Sequence, residues 1–227
     1  HWNVTIVSGD TAPTVSISTP AVDSFSTNSG LDVNFSAVSA TLDSCWYSND
    51  SMLANTTLAE CANITGVTWS EEQHNVTVWA NDTTGGESSA NVNFTIDTTN
   101  VSLSISNPSN NSYSTLTTLN VNFTASDTNL DSCWYSNDSM LSNTTLSSCA
   151  NITGVTWSEG DHNVTIWAND SAGNLNFVDV TFVVDSINPT ISISSPSNNT
   201  NQTDAGLDVL FSVSDTNLAS CWYGNDS

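Results

Sequence analysis

The sequence has no lysine and no arginine among its 227 residues, whereas 23 residues are aspartate or glutamate. The formal net charge at pH 7 is therefore −23. Because nucleic-acid phosphates are contacted mainly through lysine and arginine, nucleic acid is excluded as a partner. Repulsion by anionic lipids excludes binding to an acidic membrane surface in the same way. No run of about 18 apolar residues is present either, so we expect no membrane insertion in this segment.

A six-residue sequence, Cys-Trp-Tyr-Ser-Asn-Asp, marks an internal repeat. It lies at residues 45–50, again at 133–138, and at 221–226 with Gly224 in place of serine. The interval is 88 residues both times, and no insertion interrupts it. A period of this length predicts a tandem array of small domains. The predicted domains are 1–11 (the last strand of a preceding repeat), 12–99 and 100–187 (two full repeats), and 188–227 (the first part of a further repeat).

Hydrophobic residues alternate with polar ones in short segments, which is typical of half-buried β-strands. In one segment Leu31, Val33, Phe35 and Ala37 share a face, and the segment from Ile64 to Trp69 is a further predicted extended stretch. The 37% hydrophobic content, arranged with a period of two, argues against disorder. About seven strands per repeat, separated by turn signals, predict an all-β fold of tandem immunoglobulin-like β-sandwich domains.

The two ends of the sequence predict incomplete repeats. Residues His1–Ile6 alternate as a closing strand, and residues 189–227 predict about three opening strands. A remnant of about three strands buries too little surface to be stable alone. We therefore expect the chain to continue past Ser227 and to supply there a partner for Cys221.

Four segments of the second repeat carry a resemblance to a known family. They are Ser126–Tyr135, the second cysteine Cys149, the Trp-Ser-Glu-Gly segment 157–160, and Ala168–Asn174. Together they resemble the Ig-like repeats of archaeal cell-surface proteins, although the first repeat departs from the last segment with Thr-Thr-Gly-Gly at 83–86. The resemblance covers essentially the whole chain. It implies an extracellular structural role in surface layers, stalks or appendages, and no catalytic activity.

The cysteines occur as one widely spaced pair per full repeat. Fifteen residues separate Cys45 from Cys61, and the same number separates Cys133 from Cys149. Zinc sites and redox motifs favour close pairs of the C-x₂-C kind, which are absent. The spacing therefore favours one disulfide within each repeat, with buried thiols in a reduced protein as the alternative. Disulfides indicate an oxidising, extracellular location.

Sequons for N-linked glycosylation are about twice as frequent as the composition would give by chance. Part of the excess has another cause, because an asparagine and a threonine two positions apart share one face of a half-buried strand. We predict substantial glycosylation, with the loop sites Asn55, Asn143 and Asn198 the safest individual predictions. The predicted sites are Asn3, Asn34, Asn49, Asn55, Asn63, Asn75, Asn81, Asn93, Asn100, Asn110, Asn122, Asn137, Asn143, Asn151, Asn163, Asn169, Asn198, Asn201 and Asn225.

Tryptophan and histidine are the candidate binding and catalytic residues of this sequence. Trp167 lies on the outward face of its predicted strand, and Trp134 points away from its neighbours Cys133 and Tyr135. In one interpretation, one of the tryptophans lies in the core of the sandwich and the others pack at contacts between domains or subunits, which favours lateral assembly. In the alternative interpretation, the outward tryptophans form a platform that binds sugars. His74 and His162 read as isolated residues at strand edges, because no nucleophile motif such as G-x-S-x-G lies nearby.

Aspartates recur near the predicted ends of the domains. Oxygen-rich loops containing Asp127, Asp131, Asp170 and Asp185 could hold Ca²⁺, although no EF-hand spacing is present and solvated acidic turns are favoured. No cofactor is required by any pattern in the sequence. These observations together predict a structural subunit that self-associates into an extracellular, N-glycosylated filament or surface layer. The alternative is the stalk of an adhesin or carbohydrate-binding protein.

Overall fold

The structure, a computed structural model, describes residues 11–50, 54–138, 140, 142–203 and 206–224. The predicted closing strand at residues 1–6 and the sequons at Asn3 and Asn225 lie outside the described residues. Within the described part, no helix is long and apolar enough to span a membrane. Almost all regular structure is β-strand, as the alternating hydrophobic pattern predicted.

The described residues of the first full repeat form seven strands, which is the predicted number. The strands are β1 (Thr14–Thr19), β2 (Ser24–Ser26), β3 (Asn34–Val38), β4 (Leu42–Asn49), β5 (Thr56–Leu58), β6 (Glu72–Asp82) and β7 (Glu87–Ile96). A 3₁₀ turn at Ala59–Cys61 follows β5. Pro20, which cannot continue the hydrogen-bonded ladder, follows the last residue of β1.

The second full repeat has the same seven strands at the 88-residue offset. They are β8 (Ser102–Asn107), β9 (Ser112–Ser114), β10 (Asn122–Ser126), β11 (Leu130–Asn137), β12 (Thr144–Leu146), β13 (Gly160–Asp170) and β14 (Leu175–Val184). A 3₁₀ turn at Ser147–Cys149 follows β12. The peptide bonds before Pro20, Pro108 and Pro196 are all cis, so the repetition extends to the backbone conformation.

Each full repeat is built from a two-stranded and a five-stranded sheet. In the first repeat β1 pairs with β3, and the larger sheet has the order β2-β7-β6-β4-β5. Strand β2 runs parallel to β7, with Ser24 opposite Phe94, whereas β4, β6 and β7 are antiparallel neighbours. The second repeat has the corresponding sheets β10-β8 and β12-β11-β13-β14-β9.

The two sheets of the first repeat enclose one hydrophobic core. Val33 and Phe35 from the side of the small sheet pack with inward residues of the large sheet, including Val76, Val78 and Phe94. Alternate residues of β6 face this core because successive side chains of a strand point to opposite faces. Two sheets packed over a shared core define an Ig-like β-sandwich.

The third, partial repeat contains two strands in its described residues rather than the predicted three. Strand β15 (Thr190–Ser195) pairs with β16 (Leu210–Ser214), as β1 pairs with β3. Cys221–Tyr223, which repeat three residues of β4, are not part of a strand and are exposed. In the first repeat the corresponding strand β4 is paired with β5 and β6, and no described strand pairs with Cys221–Tyr223 in the third repeat. The prediction of a third strand here was therefore wrong.

The segment from Ile64 to Trp69, which was predicted to be extended, does not form a strand. Ile64 makes only an isolated bridge with Val33, and the segment continues as a loop. Both ends of this loop are nevertheless buried, because Ile64 and Trp69 enter the core. Burial alone produced the hydrophobic signal that was taken for a strand.

The described chain groups into two compact units. The first comprises the described residues within 11–102, 126–132 and 168–176, and the second comprises those within 103–125, 133–167 and 177–224. The predicted domain boundaries follow the sequence period instead of this division, and they stay a prediction.

Candidate functional site

A disulfide joins the predicted cysteine pair in each full repeat. Cys45 is bonded to Cys61 and Cys133 to Cys149, with Cα atoms 5.1 Å apart in both bonds. Cys45 is fully buried on β4, and Cys61 ends the 3₁₀ turn after β5. The bond therefore ties the loop after the edge strand to the core of the sandwich. Cys221 is free and exposed.

His74 and His162 are buried, so the prediction that they are isolated residues at a strand edge was wrong. His74 on β6 is only 3% exposed and lies on the face of the large sheet that is turned towards the core. The centroid of its ring is 5.2 Å from the ring centroid of Trp69 and 5.5 Å from that of Phe94. The rings of Trp69 and Phe94 are in edge-to-face contact. The second repeat has the same three rings at His162, Trp157 and Phe182.

Both ring nitrogens of His74 lie within hydrogen-bond distance of an oxygen atom. Nε2 lies 3.0 Å from the backbone oxygen of Ser70, and Nδ1 lies 3.0 Å from Asp50 Oδ2. The Ser70 carbonyl and the Asp50 carboxylate therefore hold the imidazole ring from both sides. The other oxygen of Asp50 accepts the backbone N–H of Asn75, so this carboxylate also fixes the start of β6. His162 and Asp138 repeat the pair at 2.9 Å. In the described residues, the hydrogen bonds of this pair satisfy buried polar groups.

The core tryptophans are Trp69 and Trp157, not Trp134 or Trp167. Trp69 and Trp157 are each 3% exposed, and the Nε1–H of Trp69 donates to the backbone oxygen of Leu31 at 2.7 Å. Trp134 and Trp167 instead stack on each other at the outer face, with ring centroids 6.5 Å apart. The prediction that these two point outward agrees with this position.

The first repeat has an equivalent outward tryptophan pair. Trp46 on β4 is directly opposite Trp79 on β6, with centroids 6.4 Å apart and planes inclined by only 6°. Both side chains are half-buried. The two indoles therefore form a small aromatic surface, here called the Trp46–Trp79 pair.

Three aspartates come together in the first compact unit. Carboxylate oxygens of Asp97, Asp127 and Asp170 lie within 4.8 Å of one another, and Asp97 and Asp170 are buried. Oxygen ligands of this kind suit Ca²⁺. Most of the oxygens already accept hydrogen bonds, because Asp97 Oδ2 binds Asn129 and Asp170 binds three backbone N–H groups of its loop. Calcium binding stays a prediction.

Two of the four aspartates predicted near domain ends are absent from this cluster. Asp131 Oδ2 instead lies 3.4 Å from the side-chain nitrogen of Asn169, and Asp185 accepts a hydrogen bond from Asn217. Asp97 was missed, although the period itself pairs it with Asp185. A consistent use of the 88-residue offset would have included it.

In the first repeat, Asp82 occupies the position of Asp170 and organises the turn before β7. Its Oδ1 accepts the hydroxyl of Thr84 at 2.8 Å and the N–H of Gly86 at 2.8 Å. The Thr84 hydroxyl holds the pKa of Asp82 below its usual value; burial opposes this effect, and backbone N–H donors add to it. Because the folded-state pKa is lowered, the carboxylate stabilises the fold above its unfolded-state pKa. That contribution is lost as the pH falls through the folded-state pKa.

The predicted glycosylation sites fall into two groups in the described chain, and their occupancy stays a prediction. The exposed asparagines are Asn49, Asn55, Asn63, Asn100, Asn110, Asn143, Asn151, Asn198 and Asn201. The half-buried asparagines are Asn34, Asn75, Asn81, Asn93, Asn122, Asn137, Asn163 and Asn169. In some of the second group the nitrogen that would carry a glycan is already used. Asn75 Nδ2, for example, donates to Asn93 Oδ1 at 2.6 Å.

Comparisons with known proteins find similarity among solved structures. No protein-family model and no curated protein matches this sequence. The fibronectin(III)-like modules of Clostridium thermocellum CbhA are 20% identical, with 75% of this chain and 94% of that chain covered and a TM-score of 0.42. The N-terminal four Ig domains of Dscam1 isoform 4.44 are 11% identical, with 78% and 46% covered and a TM-score of 0.40. The packed sheets and shared core described above define the full repeats as Ig-like β-sandwiches.

Proposed function

We propose that this chain is a structural segment of an extracellular, N-glycosylated filament or surface layer built from tandem Ig-like domains. The observation that carries the proposal is the repetition of a whole sandwich, with its disulfide in the same place, at a fixed spacing of 88 residues. Each unit of such an array adds a similar folded body to the chain, which suits a mechanical role. The resemblance to archaeal cell-surface repeats supports the same role.

The extracellular location is supported by the disulfides. Such bonds persist in oxidising surroundings and are rare in the cytosol. Both full repeats have one, and each includes a cysteine that is fully buried in the core. The two disulfides therefore support the proposed role outside the cell.

Self-association has a candidate contact on the second repeat. Phe177 on β14 is 60% exposed, whereas the first repeat has Ser89 at the equivalent position. Exposed aromatic side chains are enriched where proteins meet. The net charge of −23 opposes contact between copies, so association should require screening by salt.

A second candidate function is the stalk of an adhesin or carbohydrate-binding protein. The observation that favours it is the Trp46–Trp79 pair, since an aromatic ring at the surface can pack against the C–H face of a sugar ring. A stalk would present this surface without forming ordered polymers.

Electron microscopy of the purified, glycosylated chain distinguishes the two functions. We expect ordered polymers, and we expect more of them at about 0.15 M than at about 0.01 M salt, because the Debye length falls from about 30 Å to about 8 Å. Isolated particles at both salt concentrations would contradict the polymer and favour the stalk.

Two matched variants locate the contact. Phe177→Ser introduces the residue of the first repeat and should reduce the polymer fraction, measured by sedimentation. Leu116→Ser removes a side chain that is also 60% exposed, and it should leave the fraction unchanged. Equal effects of the two variants would show that Phe177 is not a specific contact.

A further inference from the structure

The outer face of the large sheet in the first repeat presents a regular row of side chains beside the Trp46–Trp79 pair. Along β6 the outward residues are every second one, so Trp79 is followed on this face by Asn81. Asn81 is opposite Ser44 on β4 and Glu87 on β7. Two residues of a strand span about 7 Å, which is within reach of a sugar ring attached to Asn81.

Hydrogen bonds to its oxygen hold the side chain of Asn81, whereas its nitrogen Nδ2 makes only a weak hydrogen bond among the described residues. Its Oδ1 accepts the backbone N–H of Ser44 at 3.0 Å and the Ser44 hydroxyl at 2.6 Å. Its Nδ2 has only a long contact, 3.4 Å, to Asp43 Oδ2. This differs from Asn34, another half-buried sequon asparagine, whose Nδ2 donates to Thr19 Oγ1 at 2.8 Å. Asn81 is thus oriented by its oxygen, and its nitrogen is available for a covalent bond.

The chemistry of the surface favours a neutral sugar over a second copy of this chain. Two half-buried indoles can cover only a few hundred square ångströms, whereas a stable protein interface needs about 800 Å² per partner. A second copy would also bring 23 more acidic residues, with no lysine or arginine, towards Asp43 and Glu87. A neutral pyranose adds no charge to this acidic surface and has a C–H face that packs on the electron-rich face of an aromatic ring.

We propose that Asn81 carries an N-linked glycan whose first sugar packs on the Trp46–Trp79 pair. The sequon is Asn81-Asp82-Thr83, and the inference rests on the proposed function only in that the chain is exported and glycosylated. The donor is an oligosaccharide on a lipid phosphate or pyrophosphate. The bond from Asn81 Nδ2 to the sugar C1 forms, the C1–O bond to the lipid phosphate group breaks, and the amide nitrogen loses one proton. The glycan then covers an aromatic surface that the first repeat otherwise leaves half-exposed.

The sequence of the second repeat has the same combination of residues. The period of 88 places Trp134, Trp167 and Asn169 at the positions of Trp46, Trp79 and Asn81, and Ser171 completes the sequon. The stacked Trp134–Trp167 rings match those of the first repeat. Asn169 differs in one respect, because its Nδ2 also donates to the backbone oxygen of Asp170 at 3.2 Å, so the proposal is made for Asn81 alone.

Glycopeptide mapping of the full chain, made in cells that carry out N-glycosylation, tests the modification. Cleavage at acidic residues is required because trypsin has no site in this sequence. We expect glycan on Asn81 as well as on exposed sites such as Asn63. Glycan on Asn63 with none on Asn81 would overturn the inference and leave the proposed function intact. If no asparagine is modified, the glycoprotein part of the proposed function fails together with the inference.

NMR of the same glycoprotein, with ¹³C-labelled sugars, tests the packing. Ring currents of the two indoles should shift the ring protons of the first sugar on Asn81 upfield relative to those of the sugar on Asn63. The shift should disappear in Trp79→Leu, and in Trp46→Leu if the first variant does not fold, while the Asn63 sugar is unchanged. Identical shifts at Asn81 and Asn63, or shifts that survive in a folded variant, would show that the sugar does not contact the rings.

Discussion

Replacing Cys45 and Cys61 together with alanine is expected to lower the free energy of unfolding of the first repeat by about 3 kcal/mol. The disulfide closes a short loop, with a sequence separation of 16, and so restricts the unfolded chain. It also fixes the 3₁₀ turn against β4, since Cys45 lies in the core and Cys61 ends the turn. The second repeat keeps its own bond, Cys133–Cys149, and serves as an internal control.

Amide hydrogen exchange read by mass spectrometry measures this effect in each repeat separately. Peptides from β6 should exchange about a hundredfold faster in the variant, which corresponds to about 3 kcal/mol in the opening equilibrium. Peptides from β13, the equivalent strand of the second repeat, should be unaffected. Equal protection of β6 in the variant and the parent chain would mean that the disulfide does not stabilise the sandwich.

A second large effect is expected from Asp50→Ala. The change removes the hydrogen-bond partner of Nδ1 of buried His74 and the acceptor of the backbone N–H of Asn75. Loss of a partner from buried polar groups costs about 1–3 kcal/mol per group, so we expect a loss of about 3 kcal/mol in the first repeat. Because Asp50 itself is partly exposed, water can replace part of the lost interaction, and a larger loss is not expected.

Asp32→Ala is the matched control for this prediction. Asp32 is exposed, and its removal should change the free energy of unfolding by less than about 0.5 kcal/mol. The same exchange measurement on β6 compares both variants. A similar small effect for Asp50→Ala would show that the His74–Asp50 contact contributes nothing to the stability of the sandwich.

The strand content and the cysteine pairs were predictable because both depend on the spacing of residues that are close together in the sequence. Alternation of apolar and polar residues follows from the geometry of a strand, as in β6, where Val76, Val78 and Ala80 face the core. The 88-residue period then supplied two independent copies of every signal. Each cysteine pair falls within one copy, so its partners could be assigned without knowing how the sheets are arranged.

Contacts between distant segments were not predictable in the same way. Strand β2 has three residues and pairs in parallel with β7, about 70 positions later, so no local pattern marks it. The core position of Trp69 depends on a loop without alternation, and the burial of His74 depends on Asp50, which lies 24 positions earlier. Tertiary packing decides such positions, and propensity does not.

Each full repeat is a β-sandwich with its own disulfide in the structure. Peptide mapping of the full chain purified without reductant tests it most directly. The account predicts bonds Cys45–Cys61 and Cys133–Cys149, each within one repeat. Bonds that join Cys45 to Cys133 or Cys149, or free thiols at these four positions, would contradict it.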